Sequence, residues 1–168
     1  VYLVGGYPFS STRIDSAADT LLIGASAEDG GGVGTSLASG GDLNADGYTD
    51  LLVGAPGEDA GAGRVYVVFG RSQADFDAYG GTMDLTAWAD AVFSGEEPGD
   101  GVGTSISGIG DQNLDGFDDF IVGAPGVDYD GLQDAGAVYL LLGHATDMGL
   151  GIDELAHLSG SLAGGGLG

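Results

Sequence analysis

The sequence predicts an all-β protein built from β-propeller blades of four short antiparallel strands. Three observations carry that expectation: an internal repeat, strand-length apolar runs within it, and turns of Gly, Pro and Asp between the runs. Residues 41–57, GDLNADGYTDLLVGAPG, return 69 residues later as 110–126, GDQNLDGFDDFIVGAPG. Laid side by side without a gap, 33–57 and 102–126 are identical at 15 of 25 positions.

Each element follows in order. The opening VYLVGG, residues 1–6, matches VYVVFG at 65–70 and VYLLLG at 138–143, so all three read as one closing strand. The chain therefore begins at the end of a repeat. Residues 7–11 form a turn, and an acidic linker leads to a short apolar strand at 21–23, with counterparts at 91–93 and 155–158. Next come GGGVGTS at 30–36 and GVGTS at 101–105, where small residues allow close backbone approach and Thr and Ser are expected to cap backbone amides. Residues 37–38 and 106–107 start the strand that delivers each acidic loop. The apolar runs 51–53 and 120–122 are too short for helices and are closed by Gly-Ala-Pro-Gly, where proline stops further pairing. The following segments, 58–63 and 127–136, differ in length and read as surface loops. The closing strands are almost wholly apolar, which predicts burial on both faces. Connectors at 71–82 and 144–151 carry few core residues, and Trp88 lies in the second connector region.

The resulting division is a closing strand at 1–6, one repeat at 7–70, a second at 71–143, and the start of another at 144–168. Two repeats are essentially complete and both ends are partial, so the expectation is a window from a longer protein. A parallel β-roll is the competing all-β repeat, but it needs calcium-binding nonapeptides in tandem, and none occur.

The repeated loop offers oxygen at alternating positions: Asp42, Asn44, Asp46 and Asp50 in the first copy, Asp111, Asn113, Asp115 and Asp119 in the second. Such spacing lets several oxygens converge on one hard cation, and glycine at position 6, Gly47 or Gly116, permits the turn. The carbonyls of Tyr48 and Phe117 at position 7 complete the set, with their rings expected to enter the core. Two Ca2+ ions are the implied cofactors. An EF-hand would need Glu at position 12, where the copies have Val53 and Val122. For one such loop in so acidic a chain a solvated Asx turn is the lesser, competing reading; two with matching flanks favour the cation further, because clustered carboxylates repel one another without it.

The string of an Asp-x-Asn-x-Asp-Gly-x-x-Asp loop, an apolar pair and Gly-Ala-Pro resembles the FG-GAP repeat of integrin alpha-subunit β-propellers and of many secreted bacterial proteins. The Phe-Gly element is relaxed here to Val33-Gly34 and Val102-Gly103. The resemblance implies a propeller that binds ligands through loops on one face.

Composition narrows the function classes. With 26 acidic residues, three arginines and no lysine, the formal charge is −23, and two calcium ions would leave −19. Nucleic acid and anionic membranes demand basic patches and are poor partners. No apolar run reaches membrane-spanning length, and the absence of cysteine excludes disulfides and thiolate metal sites. Static calcium loops fit an extracellular or cell-surface setting. His144 and His157 are lone histidines, which argues against a transition-metal site. Ser36 and Ser105 repeat in register with no histidine placed to activate them. Acid pairs serve glycoside hydrolysis, but acids that recur in both repeats are scaffold. The acidic tips Glu58, Asp59, Glu96, Glu97, Asp100, Asp128, Asp130 and Asp134 read as solvated surface, with further ligand sites or a partner-binding edge as the alternatives. The chain is thus read as a non-catalytic adhesion or recognition module whose partner is a protein, a carbohydrate or copies of itself. The alternatives are a calcium-stabilised filament or surface layer, and an accessory domain of a larger secreted hydrolase.

Overall fold

The computed structural model describes residues 2–3, 20–24, 31–79, 81–145 and 157–159. The expected linker at 7–19 lies outside them, as does nearly all of the partial repeat at 144–168. Eleven strands and two short helices are described: β1 (Tyr2–Leu3), β2 (Thr20–Ile23), β3 (Ser36–Gly41), β4 (Asp50–Ala55), β5 (Arg64–Val68), α1 (Gln73–Tyr79), β6 (Thr82–Asp84), α2 (Leu85–Trp88), β7 (Ala91–Ser94), β8 (Ser105–Gly110), β9 (Asp119–Ala124), β10 (Ala137–Leu141) and β11 (His157–Ser159).

The strands form two four-stranded antiparallel sheets, β3-β4-β5-β7 and β8-β9-β10-β11, each a meander like a propeller blade, and a smaller sheet β1-β2-β6. Each fourth strand pairs with the closing strand before it: β2 on β1, β7 on β5, β11 on β10. The sheets are therefore offset from the division drawn at 70 and 143, because a strand that opens one sequence repeat completes the sheet of the previous one. The segment from 71 to 90, which runs past the connector's expected end at 82, is richer than its sequence implied. It holds α1, the edge strand β6, which pairs in parallel with β2, and α2, whose N-cap Asp84 accepts the Thr86 N–H at 2.9 Å.

Alternation places the two faces of the first blade against different neighbours. Val53, Ala55, Tyr66 and Val68 pack against Leu22, Met83 and Leu85 of the small sheet and its connector. Leu52, Val65, Val67, Ala91 and Phe93 pack against Phe120, Val122, Ala124 and Leu141 of the second blade. Phe93 and Phe120 meet edge to face, with centroids 5.9 Å apart.

β5 is buried along its length apart from Arg64, as an apolar closing strand should be. Its counterpart β10 is not: Val138 is 44% exposed. The reason is packing, since one face of β10 meets the first blade and, among the described residues, no sheet covers the other.

Glycine explains how closely the blades approach. A Cβ on Gly54 would lie 2.2 Å from the Gly103 carbonyl and 2.2 Å from Ser36 Oγ. The Gly-Ala-Pro glycine of one blade thus lets the Val-Gly turn of the next lie against it, and the Ser36 hydroxyl donates to the Gly103 carbonyl at 2.6 Å. Thr35 and Thr104 likewise donate to the carbonyls of Gly32 and Gly101. The hydroxyls expected to cap amides therefore cap carbonyls, because tight glycine turns leave those oxygens without strand partners.

Candidate metal centre

The β3–β4 and β8–β9 hairpin loops carry the repeated oxygens, and both copies fold alike. In the first, Asp42 accepts the N–H groups of Asp46 at 3.0 Å and Gly47 at 2.9 Å. Asn44 Oδ1 accepts Asp46 N–H at 3.1 Å, and Asp46 accepts Tyr48 N–H at 2.8 Å. In the second, Asp111 accepts from Asp115 and Gly116, Asn113 Oδ1 from Asp115, and Asp115 from Phe117, all between 3.0 and 3.2 Å. The side chains at positions 1, 3 and 5 thus turn inward to the same few backbone amides.

Two left-handed residues make that possible. Gly47 and Gly116 have φ of 90° and 96°, as the sequence required. Ala45 and Leu114 at position 4 are left-handed too, at 56° and 62°, a strain that propensity at that position conceals.

Position 9 is different in kind. Asp50 is 2% exposed and Asp119 fully buried. Asp50 accepts the N–H groups of Leu43 and Gly70, both at 2.8 Å; Asp119 accepts those of Gln112 at 2.8 Å and Gly143 at 3.0 Å. Each carboxylate therefore ties the start of its loop to the end of the closing strand. Burial, ahead of the opposing effect of its two backbone hydrogen bonds, raises the pKa of Asp50, and the charges of Asp46 and Asp42 add to the rise.

The rings at position 7 do not enter the core. Tyr48 is 47% exposed and Phe117 is half-buried. Tyr48 Cβ lies over Gly70 and Phe117 Cβ over Gly143, so both side chains leave the backbone over the end of a closing strand instead. In the first loop the core is filled from position 2 by Leu43, which is fully buried.

Sequence reasoning also missed Asp118 at position 8. Its carboxylate accepts the Asp42 N–H at 2.8 Å, and its own N–H donates to the Asp42 carbonyl at 3.0 Å. The second loop thereby holds the first from across the blade boundary. The only sequence signal was the difference between Thr49 and Asp118 at matched positions.

Two of the acidic tips are not solvated. Glu58 is 3% exposed, accepts the Tyr66 hydroxyl and lies 3.5 Å from the Arg64 guanidinium; Asp100 is 7% exposed and accepts the N–H groups of Glu96 and Glu97. Burial and the bond to Glu58 push the Tyr66 phenol up to about 12.

Among the described residues no three His, Asp or Glu side chains stand ready as a metal cage. The carboxylates face backbone amides, yet each bonded oxygen keeps a second lone pair. The donor set in each loop is three carboxylates, one amide oxygen and one carbonyl, all hard oxygens, which fits Ca2+. Asp42, Asn44, Asp46, Asp50 and the Tyr48 carbonyl would hold one ion; Asp111, Asn113, Asp115, Asp119 and the Phe117 carbonyl would hold the other. Such an ion supplies positive charge to a loop that otherwise has none.

Fold and loops together define an all-β repeat protein of propeller-like blades with acidic hairpin loops. Residues 33–68 and 102–141 match the FG-GAP repeat, so the chain carries two FG-GAP repeats. It is 39% identical over 106 residues to the phosphatidylinositol-glycan-specific phospholipase D of Bos taurus, a match covering 61% of this chain and 12% of that protein. It is 36% identical over 120 residues to mouse integrin alpha-M, covering 71% of this chain and 10% of the integrin. With mouse integrin alpha-3 the identity is 40% over 114 residues, covering 65% and 9%. The aligned segment thus spans about a tenth of each relative's length. No helix among the described residues is long and apolar enough to cross a membrane.

Proposed function

We propose that this chain is a calcium-binding, extracellular FG-GAP module that serves adhesion or recognition rather than catalysis. The observation that carries the reading is the pair of acidic hairpin loops with the same hydrogen-bond pattern, each carrying an oxygen-only donor set. Calcium would offset most of the charge of those loops and hold the blades in register. The similarity to integrin alpha chains favours the recognition role. The match to a phospholipase D favours a second reading, in which the same module accompanies a catalytic domain.

Calorimetric titration with Ca2+ tests the metal. Two ions are expected to bind, and the melting temperature to rise with calcium concentration and fall on chelation. Asp46→Ala and Asp115→Ala should each remove one site. Binding unchanged in the double variant would overturn the assignment.

A further inference from the structure

The two acidic loops meet at Asp118, position 8 of the second, where the first loop has Thr49. The Asp118 carboxylate accepts the Asp42 N–H at 2.8 Å, and the Asp118 N–H donates to the Asp42 carbonyl at 3.0 Å. Both partners stand at decisive places. Asp42 is the first oxygen donor of its own loop, and Asp118 lies between Phe117 and Asp119, two donors of the other. Glycine makes the approach possible, since a Cβ on Gly41 would clash with the Asp118 carboxylate.

A second contact runs beside it. Asp119 accepts the Gly143 N–H at 3.0 Å. A Cβ on Gly143 would clash with the Asp118 carbonyl and lie 2.7 Å from the Leu43 carbonyl, and the Leu43 N–H donates to Asp50 at 2.8 Å. Donor residues of one loop are thus joined to donor residues of the other by two short routes, one through Asp118 and one through Gly143 and Leu43.

We propose that Asp118 couples the two loops, so that calcium bound in the second raises the calcium affinity of the first. This deepens the calcium reading above and rests on it. With an ion held by the Phe117 carbonyl and Asp119, the backbone on both sides of Asp118 is fixed. Asp118 then presents its carboxylate and N–H to Asp42 already oriented, and the first loop has less order to gain when its own ion binds. Asp118 is in this sense a positioning residue, not a ligand. Linkage makes the effect reciprocal, so an ion in the first loop raises the affinity of the second by the same factor. Charge alone gives the opposite sign. An emptied second loop that has lost one carboxylate is still more negative than a loaded one with three carboxylates and a dication, and would draw calcium to its neighbour more strongly.

The test is NMR titration of the intact chain with Ca2+, in which the Gly47 and Gly116 amides report on the first and second loops separately. Asp115→Asn keeps an acceptor for the Phe117 N–H and should empty the second loop. The calcium midpoint of Gly47 should then rise by about fivefold or more, the lower end of ordinary coupling between sites. Asp118→Thr, which copies the sister loop, should weaken the first loop and make it indifferent to Asp115→Asn. Asp118→Asn keeps an acceptor for the Asp42 N–H and should retain the coupling. Loss of stability alone would move both midpoints and leave the response to Asp115→Asn in place. Should Asp118→Thr fail to fold, Asp46→Asn gives the reciprocal reading and should raise the Gly116 midpoint by the same factor. A Gly47 midpoint unmoved or lowered by Asp115→Asn, a rise that persists in the Asp118→Thr chain, or coupling lost in Asp118→Asn would overturn the proposal. Independent saturation of the two amides would leave the calcium sites standing without the coupling, whereas no response at either amide would remove both.

Discussion

Replacing Asp50 separates what holds the first loop in place from what a cation adds to it. The carboxylate accepts two backbone N–H groups, each at 2.8 Å, one of them on the fully buried Leu43. Alanine leaves both donors without a partner, at a cost of about 1–3 kcal/mol each, or about 2–6 kcal/mol together. Asparagine keeps one acceptor oxygen and should cost about 1–3 kcal/mol. With a urea slope of about 2 kcal/mol/M, the alanine midpoint should fall by about 1–3 M. The assay is urea unfolding in chelator, so that no metal contributes to either chain. Asp46→Ala, whose hydrogen bonds lie in the exposed turn, should move the chelated midpoint little and lose instead the stabilisation that calcium brings. An Asp50→Ala chain that unfolds at the parent midpoint in chelator would refute the claim that this carboxylate braces the loop.

Two further outcomes follow from the packing. The Tyr66 phenol titrates at about 12 rather than its usual 10.0, so the folded chain keeps that proton more tightly than the unfolded chain. Its contribution is whole below pH 10 and is lost as pH rises from 10 through 12, on the order of 2 kcal/mol; Tyr66→Phe should flatten that part of the stability profile measured by denaturant melts. Gly54→Ala puts a methyl 2.2 Å from the Gly103 carbonyl and should cost about 1–3 kcal/mol, because backbone on both sides of the blade junction must move. A melting temperature equal to the parent's would show that the blades are not held that closely.

The sequence by itself determined the all-β class, the strand order and the oxygen pattern of the loops. Those properties are local and repeated: an apolar run of strand length, a turn that needs glycine at position 6, and acids at fixed spacing carry their consequences wherever they occur. The runs at 21–23 and 91–93 were legible as strands, but the sequence set each at the start of its repeat, whereas each completes the sheet of the closing strand before it. What only the tertiary structure decided was which residues meet across a blade boundary. Nothing in the spacing says that Asp118 grips Asp42, that Glu58 and Asp100 are buried, or that the Tyr48 side chain leaves the backbone over Gly70 instead of entering the core. Such contacts join residues up to 76 positions apart, and their energy depends on distance and burial, neither of which a residue's type or its neighbours in the chain specify.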